Sequence, residues 1–406
     1  MLDQYKGLKQ EVYVLSFGRL VSGLGSMIWP MMTLILSQKM HIGAKEVAWL
    51  LSAAMIVMAP AVYLGGKIAD IRDKKTTIVI LNIISVICYG MCAFIPMSWF
   101  AISVIFIASV CQNMEHPAYT ALLADVTTTD ERDRAYSLQY MCANLGLVLA
   151  PTISGFLFKN YLWLAFLINA LSILSATILI FFMVKDTTPV VETTRIAAYQ
   201  KDRAGESLRT ILRENKVVVL FILVMSGYYA VYQMYVYLMP LDLAVIHGDA
   251  GAVIYGSVTS VNCLVVVLFT PLITRISANR HEPDRITAGV ALMVAGFALF
   301  AICKGIIPMY YISMTVLTWG EIFALTTEGP CLSRRIPSSH RGQINGIFTV
   351  IKTLLSSAFQ IAVGTAYGDL GSAAAWIVVL AVGAMFIILS VATGRMDKIE
   401  YPNLYE

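Results

Sequence analysis

The sequence predicts an all-α polytopic membrane protein, with twelve transmembrane helices in two pseudo-symmetric six-helix halves, and three observations carry that expectation. Hydrophobic residues make up 58% of the chain and charged ones only 13%, the composition of a polypeptide whose main solvent is lipid. The apolar residues gather into runs of about 20, the length that crosses a hydrocarbon core. One long polar segment, 185–216, divides those runs into six before it and six after it. Continuous runs, as opposed to ten-residue stretches of alternating polarity, call for helices and not a barrel.

Taken in order, span 1 (12–36) carries a polar stripe of Ser16, Arg19, Ser22, Ser26, Pro30 and Thr33. Spans 2 (46–66) and 3 (76–96) flank the charged turn G-K-I-A-D-I-R-D-K-K from Gly66 to Lys75. Span 4 (99–121) carries Gln112, Glu115 and Tyr119 at helical spacing. In span 5 (137–158), Gly146, Ala150 and Ser154 recur every fourth residue, a small-residue face that admits a close neighbour, and Pro151 removes a backbone donor beside it. Span 6 (161–184) completes the first half, residues 1–184. The segment 185–216 ends E-S-L-R-T-I-L-R-E-N-K, with Leu208, Ile211 and Leu212 on one face, as expected of a short amphipathic helix at a membrane surface.

The second half, 217–406, opens with span 7 (217–241), where Tyr228, Tyr232 and Tyr235 share one face and Tyr229 adjoins them. Span 8 (252–274) carries Tyr255, Thr259 and Asn262. Spans 9 (286–304) and 12 (372–394) bracket the two polar ones: span 10 (308–332), with Thr318, Glu321 and Glu328, and span 11 (343–366), with Asn345, Thr349, Lys352 and Ser356. Glu115-His116-Pro117 in span 4 is echoed by Glu328-Gly329-Pro330 in span 10. With the six-loop-six layout, that echo fits two parallel repeats holding a site between them near the midplane.

Basic residues set the expected orientation. With both termini on the cytoplasmic side, 23 Lys and Arg fall in inner segments and four (Lys39, Lys45, Lys159, Lys304) in outer ones, a positive-inside pattern. The net charge of +4 thus reports topology in the cytoplasmic membrane, and no nucleic-acid partner is expected. The N-terminus starts polar and lacks a small-residue cleavage site, so no removable signal peptide is expected. The seven cysteines lie in apolar spans without a C-x-x-C or Cys/His cluster, which points to packing and to neither a disulfide framework nor a metal site.

Two basic residues, Arg19 and Lys352, fall inside spans. A charge at a helix centre costs about 2.5–3.5 kcal/mol on insertion scales and faces a partner or a water-filled cavity. At 1.5 Å per residue, Arg19 and Glu115 each lie about 10 Å from the inner face, and Lys352 and Glu321 each lie about 15–18 Å deep, with Glu328 shallower. Depth therefore pairs Arg19 with Glu115 and Lys352 with Glu321. Such pairs serve either as fixed bridges between helices or as sites that exchange a proton or substrate. Ser26, Gln112, Tyr119, Tyr228, Tyr232, Tyr235, Asn262 and Thr349 are the expected cavity lining. Tyrosine, with an apolar face and a polar tip, suits amphipathic or cationic small molecules.

The loop between spans 2 and 3 resembles the major facilitator signature G-x-x-x-D-R-x-G-R-K: Gly66, Asp70, Lys74 and Lys75 match, while Ile71 and Asp73 stand where the family prefers Arg and Gly. P-A-Y-T-A-L-L-A-D (117–125), Arg134 and N-L-G-L-V-L-A-P-T-I-S-G (144–155) are similar to the drug:proton antiporter branch. That branch's motif ends G-P-x-x-G-G, where this chain reads A-P-T-I-S-G, and its helix-4 arginine is Ile105 here. The resemblance implies a monomeric multidrug-efflux antiporter with a small-molecule substrate, the lipid bilayer as its surroundings, the proton as coupling ion and no cofactor. It also implies a conformational gate at Gly66, Asp70, Lys74, Lys75, Gly146 and Pro151, where Asp70 would cap the amides of a helix in the other half. Uptake or uniport of a narrow nutrient is the alternative, and a non-transporting sensor of the same fold is an alternative of another class. No H-E-x-x-H, G-x-S-x-G or P-loop pattern occurs, so an enzyme is not expected.

Overall fold

A computed structural model describes residues 5–71, 73–185, 207–277, 279–337 and 340–405. The described residues are overwhelmingly helical: α1 (Gln10–Leu24), α2 (Met32–Leu34), α3 (Ala44–Ile71), α4 (Lys74–Cys92), α5 (Trp99–Asp125), α6 (Thr129–Leu147), α7 (Ala150–Phe158), α8 (Leu162–Met183), α9 (Leu208–Glu214), α10 (Lys216–Tyr232), α11 (Met234–His247), α12 (Gly251–Ser277), α13 (Glu282–Ile302), α14 (Ile307–Arg335), α15 (Arg341–Leu370) and α16 (Ser372–Glu400).

Three of the twelve expected spans are interrupted. Span 1 breaks after Leu24, where Gly25 passes so close to α8 that a Cβ would stand 2.4 Å from the Ser172 Cβ; the chain resumes through a 3-10 turn holding Pro30 and a π-helical turn at Ile35–Lys39. Span 5 breaks between α6 and α7, with Pro151 in the first turn of the new helix, where its missing donor is harmless. Span 7 breaks at Gln233, between α10 and α11. Starts are capped as the sequence allows: Asp73 accepts from the Thr76 amide at 2.7 Å, Ser98 from the Ala101 amide at 3.3 Å, and Thr128 with Glu131 forms a capping box. The expected amphipathic helix is present as α9, capped by Ser207 and burying Ile211. The rest of that polar segment, 186–206, lies outside the described residues.

Nine stretches of the described chain are long and apolar enough to cross a membrane, and one of them, Lys216–Ser277, holds two spans. The helices of spans 4 and 10, α5 and α14, fall outside that set. They are the ones that carry the internal carboxylates Glu115, Glu321 and Glu328.

The chain divides into two compact units, one comprising Met1–Ile42, Val57–Thr193 and Leu243–Val267, the other Gly43–Ile56, Thr194–Asp242 and Leu268–Glu406. In unit one, Leu15, Tyr119, Leu122, Leu123 and Ile180 form a core between α1, α5 and α8. Small residues bring helices together there: a Cβ on Gly146 would meet the Leu20 carbonyl at 2.3 Å, and one on Gly65 the Met114 carbonyl at 2.2 Å. Ser154 donates to the Met27 carbonyl at 2.9 Å, and Thr152 and Ser260 share a hydroxyl bond of 2.7 Å. In unit two, α13 and α14 cross at Gly289 and Gly320, each within 2.5–2.8 Å of the other's carbonyl if given a Cβ. Ser52 and Ser357 exchange hydroxyl-to-carbonyl bonds of 3.1 and 3.4 Å.

Candidate functional site

In unit one, α1 and α5 bring together residues 96 positions apart. Arg19 Nη2 donates to Glu115 Oε2 at 3.1 Å, the contact expected from depth alone. Glu115 is 2% exposed, so its charge depends on that guanidinium. The guanidinium also lies 3.6 Å from the Tyr119 ring centroid, a cation–π contact worth about 0.5–2 kcal/mol. Tyr119 is in turn held by its hydroxyl, which donates to the Leu15 carbonyl at 2.5 Å. A cavity of about 450 Å3 opens beside the pair, lined by Arg19, Val62, Gln112, Asn113 and His116. Arg19 thus spans from a buried carboxylate to a cavity wall, and Gln112, donating to Asn82 Oδ1 at 3.1 Å, ties α5 to α4 along that wall.

Ser26 turns back to its own helix, donating to the Ser22 carbonyl at 3.2 Å, and Asn262 is buried in α12. Neither lines this cavity. From sequence, His116 stood out only within the echoed tripeptide, and neither it nor Asn82 was among the expected site residues. For His116 the signal was its place next to Glu115; Asn82 is one polar residue in an otherwise apolar span.

Unit two holds the tyrosines. Tyr228 is fully buried and stacks on Tyr232, centroids 5.9 Å apart and planes at 16°. Tyr232 contacts Tyr235 at 4.9 Å and hydrogen-bonds Glu321. Tyr229 donates from its hydroxyl to Glu328 Oε2 at 2.9 Å, while Lys352 Nζ sits 4.3 Å from the centroid of the same ring and 5.6 Å from that of Phe348. Lys352 therefore joins the Tyr229–Glu328 arm, whereas depth had paired it with Glu321. Depth fixes only the level along a helix, and the rotation of α15 decides which acid the lysine meets. Thr349, one turn before Lys352, bonds the Asn345 carbonyl at 2.9 Å.

The charged turn after α3 is tied down within unit one. Lys74 Nζ pairs with Asp125 Oδ2 at 2.5 Å, and Lys75 donates to the Val184 carbonyl at 2.7 Å with its ammonium 5.4 Å from the Phe181 ring. Asp70 is the penultimate residue of α3, and its side chain lies outside the described residues. Gly66 has room: a Cβ would come only to 3.9 Å of Pro117. The close approach in the motif belongs to its neighbour Gly65.

Two further charged clusters had no sequence forecast. Asp242 of α11, 1% exposed, accepts from Lys304 at 2.7 Å, Ser372 at 2.8 Å and the Trp376 indole at 2.5 Å. Arg335 of α14 grips Asp397 with two bonds of 2.5 and 2.7 Å and Glu282 with one of 2.6 Å. Each cluster gathers residues from separate helix ends, which spacing along the chain does not reveal. Among the described residues no group of His, Cys, Asp and Glu is placed to hold a metal.

Comparison with known proteins agrees with this architecture. The family model of the Major Facilitator Superfamily matches residues 15–360. A Na(+), Li(+), K(+)/H(+) antiporter of Planococcus maritimus is 22% identical over 358 residues, covering 78% of this chain and 80% of the relative. Among solved structures, a POT family transporter in complex with a thioalcohol-conjugated peptide superposes with a TM-score of 0.78 at 13% identity, covering 100% of both chains. The nucleoside transporter NupG superposes with a TM-score of 0.72 at 15% identity, covering 95% of this chain and 98% of its own. At those identities the structural likeness speaks for the fold alone.

Proposed function

The chain belongs to the Major Facilitator Superfamily and is a multi-pass membrane transporter of that type, and from that premise we propose that it exports a small amphipathic or cationic molecule in exchange for protons. The observation that carries the proposal is the buried Glu115, held by Arg19 at the wall of the 450 Å3 cavity. A carboxylate with a single counter-ion in an apolar setting is a two-state device. While Arg19 stays, the charge is balanced; once Arg19 turns toward the cavity, Glu115 takes a proton in preference to remaining ionised and unpartnered. Substrate entering beside Gln112 and His116 competes for the same space, which couples its movement to that of the proton.

In unit two the half-buried Tyr232 and Tyr235 are the rings of the tyrosine cluster that would meet a cation or an apolar body, and Glu321 and Glu328 outnumber Lys352. Rocking of two six-helix halves, 1–184 and 217–406, about the linker 185–216 is the proposed motion, with the turn holding Gly66, Asp70, Lys74 and Lys75 and the break at Gly146 and Pro151 as its gate elements. A monomer in the cytoplasmic membrane with both termini inside is part of the same reading, and the positive-inside charge pattern supports the orientation.

The name of the Planococcus relative favours a second reading, exchange of monovalent cations for protons. The two part in one experiment. Cells expressing the chain are loaded with a fluorescent lipophilic cation, with and without an uncoupler, beside cells expressing Glu115→Gln. Lower accumulation that both the uncoupler and the substitution reverse is the expected result. Unchanged dye levels together with alkali-cation-induced collapse of a pH gradient in everted vesicles would transfer the proposal to the second reading.

A further inference from the structure

A separate cavity lies in unit two between α12, α13 and α14. Its volume is about 510 Å3, and its walls include Ile276, Arg280, Ala288, Ala291, Ala295 and Phe323. The three alanines follow one another at three- and four-residue spacing and so share a face of α13. Their methyl groups make that face low, with Ile276 of α12 and Phe323 of α14 standing as ridges on either side. Ser277, the one hydroxyl in the lining, donates to the Thr274 carbonyl of its own helix at 3.4 Å, so the floor is apolar throughout. From the first turn of α13 to Ala295 the rise is about 20 Å, little more than one leaflet of a hydrocarbon core about 30 Å thick. A trench that shallow in the membrane and that apolar fits an acyl chain.

Its mouth is basic. Arg280 is exposed in the turn before α13, its amide bonded to the Ser277 carbonyl at 2.9 Å. Arg275 is exposed near the end of α12. Arg285 donates from Nη2 to Thr326 at 3.3 Å and keeps a buried Nε with no partner. Of the nearby acids, Glu282 is occupied by Arg334 at 3.1 Å and Arg335 at 2.6 Å, which leaves Asp284 exposed. Arg280 is the basic residue of the lining, and with Arg275 and Asp284 the other exposed charges near it in sequence the balance is positive, which favours an anion; a guanidinium matches the oxygens of a phosphate in pairs.

We infer that this trench holds one phospholipid with an anionic headgroup, its acyl chain along Ala288, Ala291 and Ala295 and its phosphate at Arg280. The loop carrying Arg280 belongs to the side of the chain richest in Lys and Arg, where an anionic leaflet is attracted most strongly.

Thermal unfolding of the purified full chain in neutral detergent tests the inference, with phosphatidylglycerol or phosphatidylcholine added at equal concentration. Phosphatidylglycerol is expected to raise Tm by several degrees more than phosphatidylcholine. Arg280→Gln should bring the two lipids level, Arg280→Lys should restore part of the difference, and Ala291→Phe, which fills the trench, should remove both shifts. Should Ala291→Phe fail to fold, Ala295→Phe at an exposed position blocks the same trench. Equal shifts from the two lipids in the wild type, or a phosphatidylglycerol shift undiminished in Arg280→Gln, would overturn it. The readout involves no transport, so its outcome is separate from that of the proposed exchange.

Discussion

Arg19 holds three positions at once: on the Glu115 carboxylate, over the Tyr119 ring and at the cavity wall. A lysine there keeps the charge but loses the planar contact with the ring and the fork of donors. Arg19→Lys is therefore expected to lower the driven transport rate about tenfold, corresponding to roughly 1.4 kcal/mol, while a flux assay at saturating substrate still detects turnover. Arg19→Gln leaves Glu115 buried without a counter-ion and is expected to abolish proton coupling. Tyr229 is the residue to test in unit two, since its hydroxyl bonds Glu328 and its ring carries Lys352. Tyr229→Phe removes only the bond to Glu328, and a net cost of about 1.5–3 kcal/mol, typical of hydrogen bonds to charged groups, is expected in thermal or denaturant unfolding.

The Arg19–Glu115 contact was readable in the sequence because each residue lies in one unbroken helix with its inner end, Gln10 to Arg19 in α1 and Glu115 to Asp125 in α5, so counting along each helix gives a depth. Lys352 shows where counting stops. Counting puts Glu321 at its level and Glu328 about two turns shallower, yet the packing of α15 against α10 brings the lysine to the Tyr229–Glu328 side.

At the scale of the helices, close approach is concentrated at a few glycines. A Cβ at Gly65 would stand 2.2 Å from the Met114 carbonyl, a backbone atom that cannot step aside, whereas at Gly66 the nearest atom is 3.9 Å away. Gly65→Val is accordingly expected to cost at least the 1–3 kcal/mol typical of overpacking, seen as a lower Tm in detergent, and Gly66→Ala to leave Tm within about a degree of wild type. The reverse outcome would show that Gly66, and not Gly65, sets the α3–α5 distance.

Helix existence was legible throughout from the apolar runs, whereas Asp73, read only as a departure from the family signature, proves to cap α4. The breaks were legible only in part. Pro151 announces one, while Gln233, with no glycine or proline beside it, announces nothing. The polarity that made α5 and α14 functionally conspicuous is the same property that makes them weak as apolar spans.

At the scale of the molecule, unit two is pinned at separate places by buried charge clusters, Asp242 with Lys304, Ser372 and Trp376, and Arg335 with Asp397 and Glu282. Removing one member of such a cluster strands the others in a poorly solvating site. Arg335→Gln is expected to cost about 3–5 kcal/mol, measurable as a large loss of thermal stability, and Arg335→Lys to recover only part because a single ammonium does not reproduce the two-bond grip on Asp397. All the members of both clusters lie within 217–406, the half that the proposed rocking moves as a body.

Membership in a transporter superfamily does not itself say where the driving force enters, and Glu115 is the residue proposed for that step. Reconstituted vesicles holding either wild type or Glu115→Gln, loaded with an exported lipophilic cation, separate the two halves of the claim. An imposed pH gradient should drive accumulation in the wild type and fail to drive it in Glu115→Gln, while exchange of labelled for unlabelled substrate without a gradient proceeds in both. Gradient-driven accumulation by Glu115→Gln at the wild-type level would contradict the account and place the coupling site elsewhere in the chain.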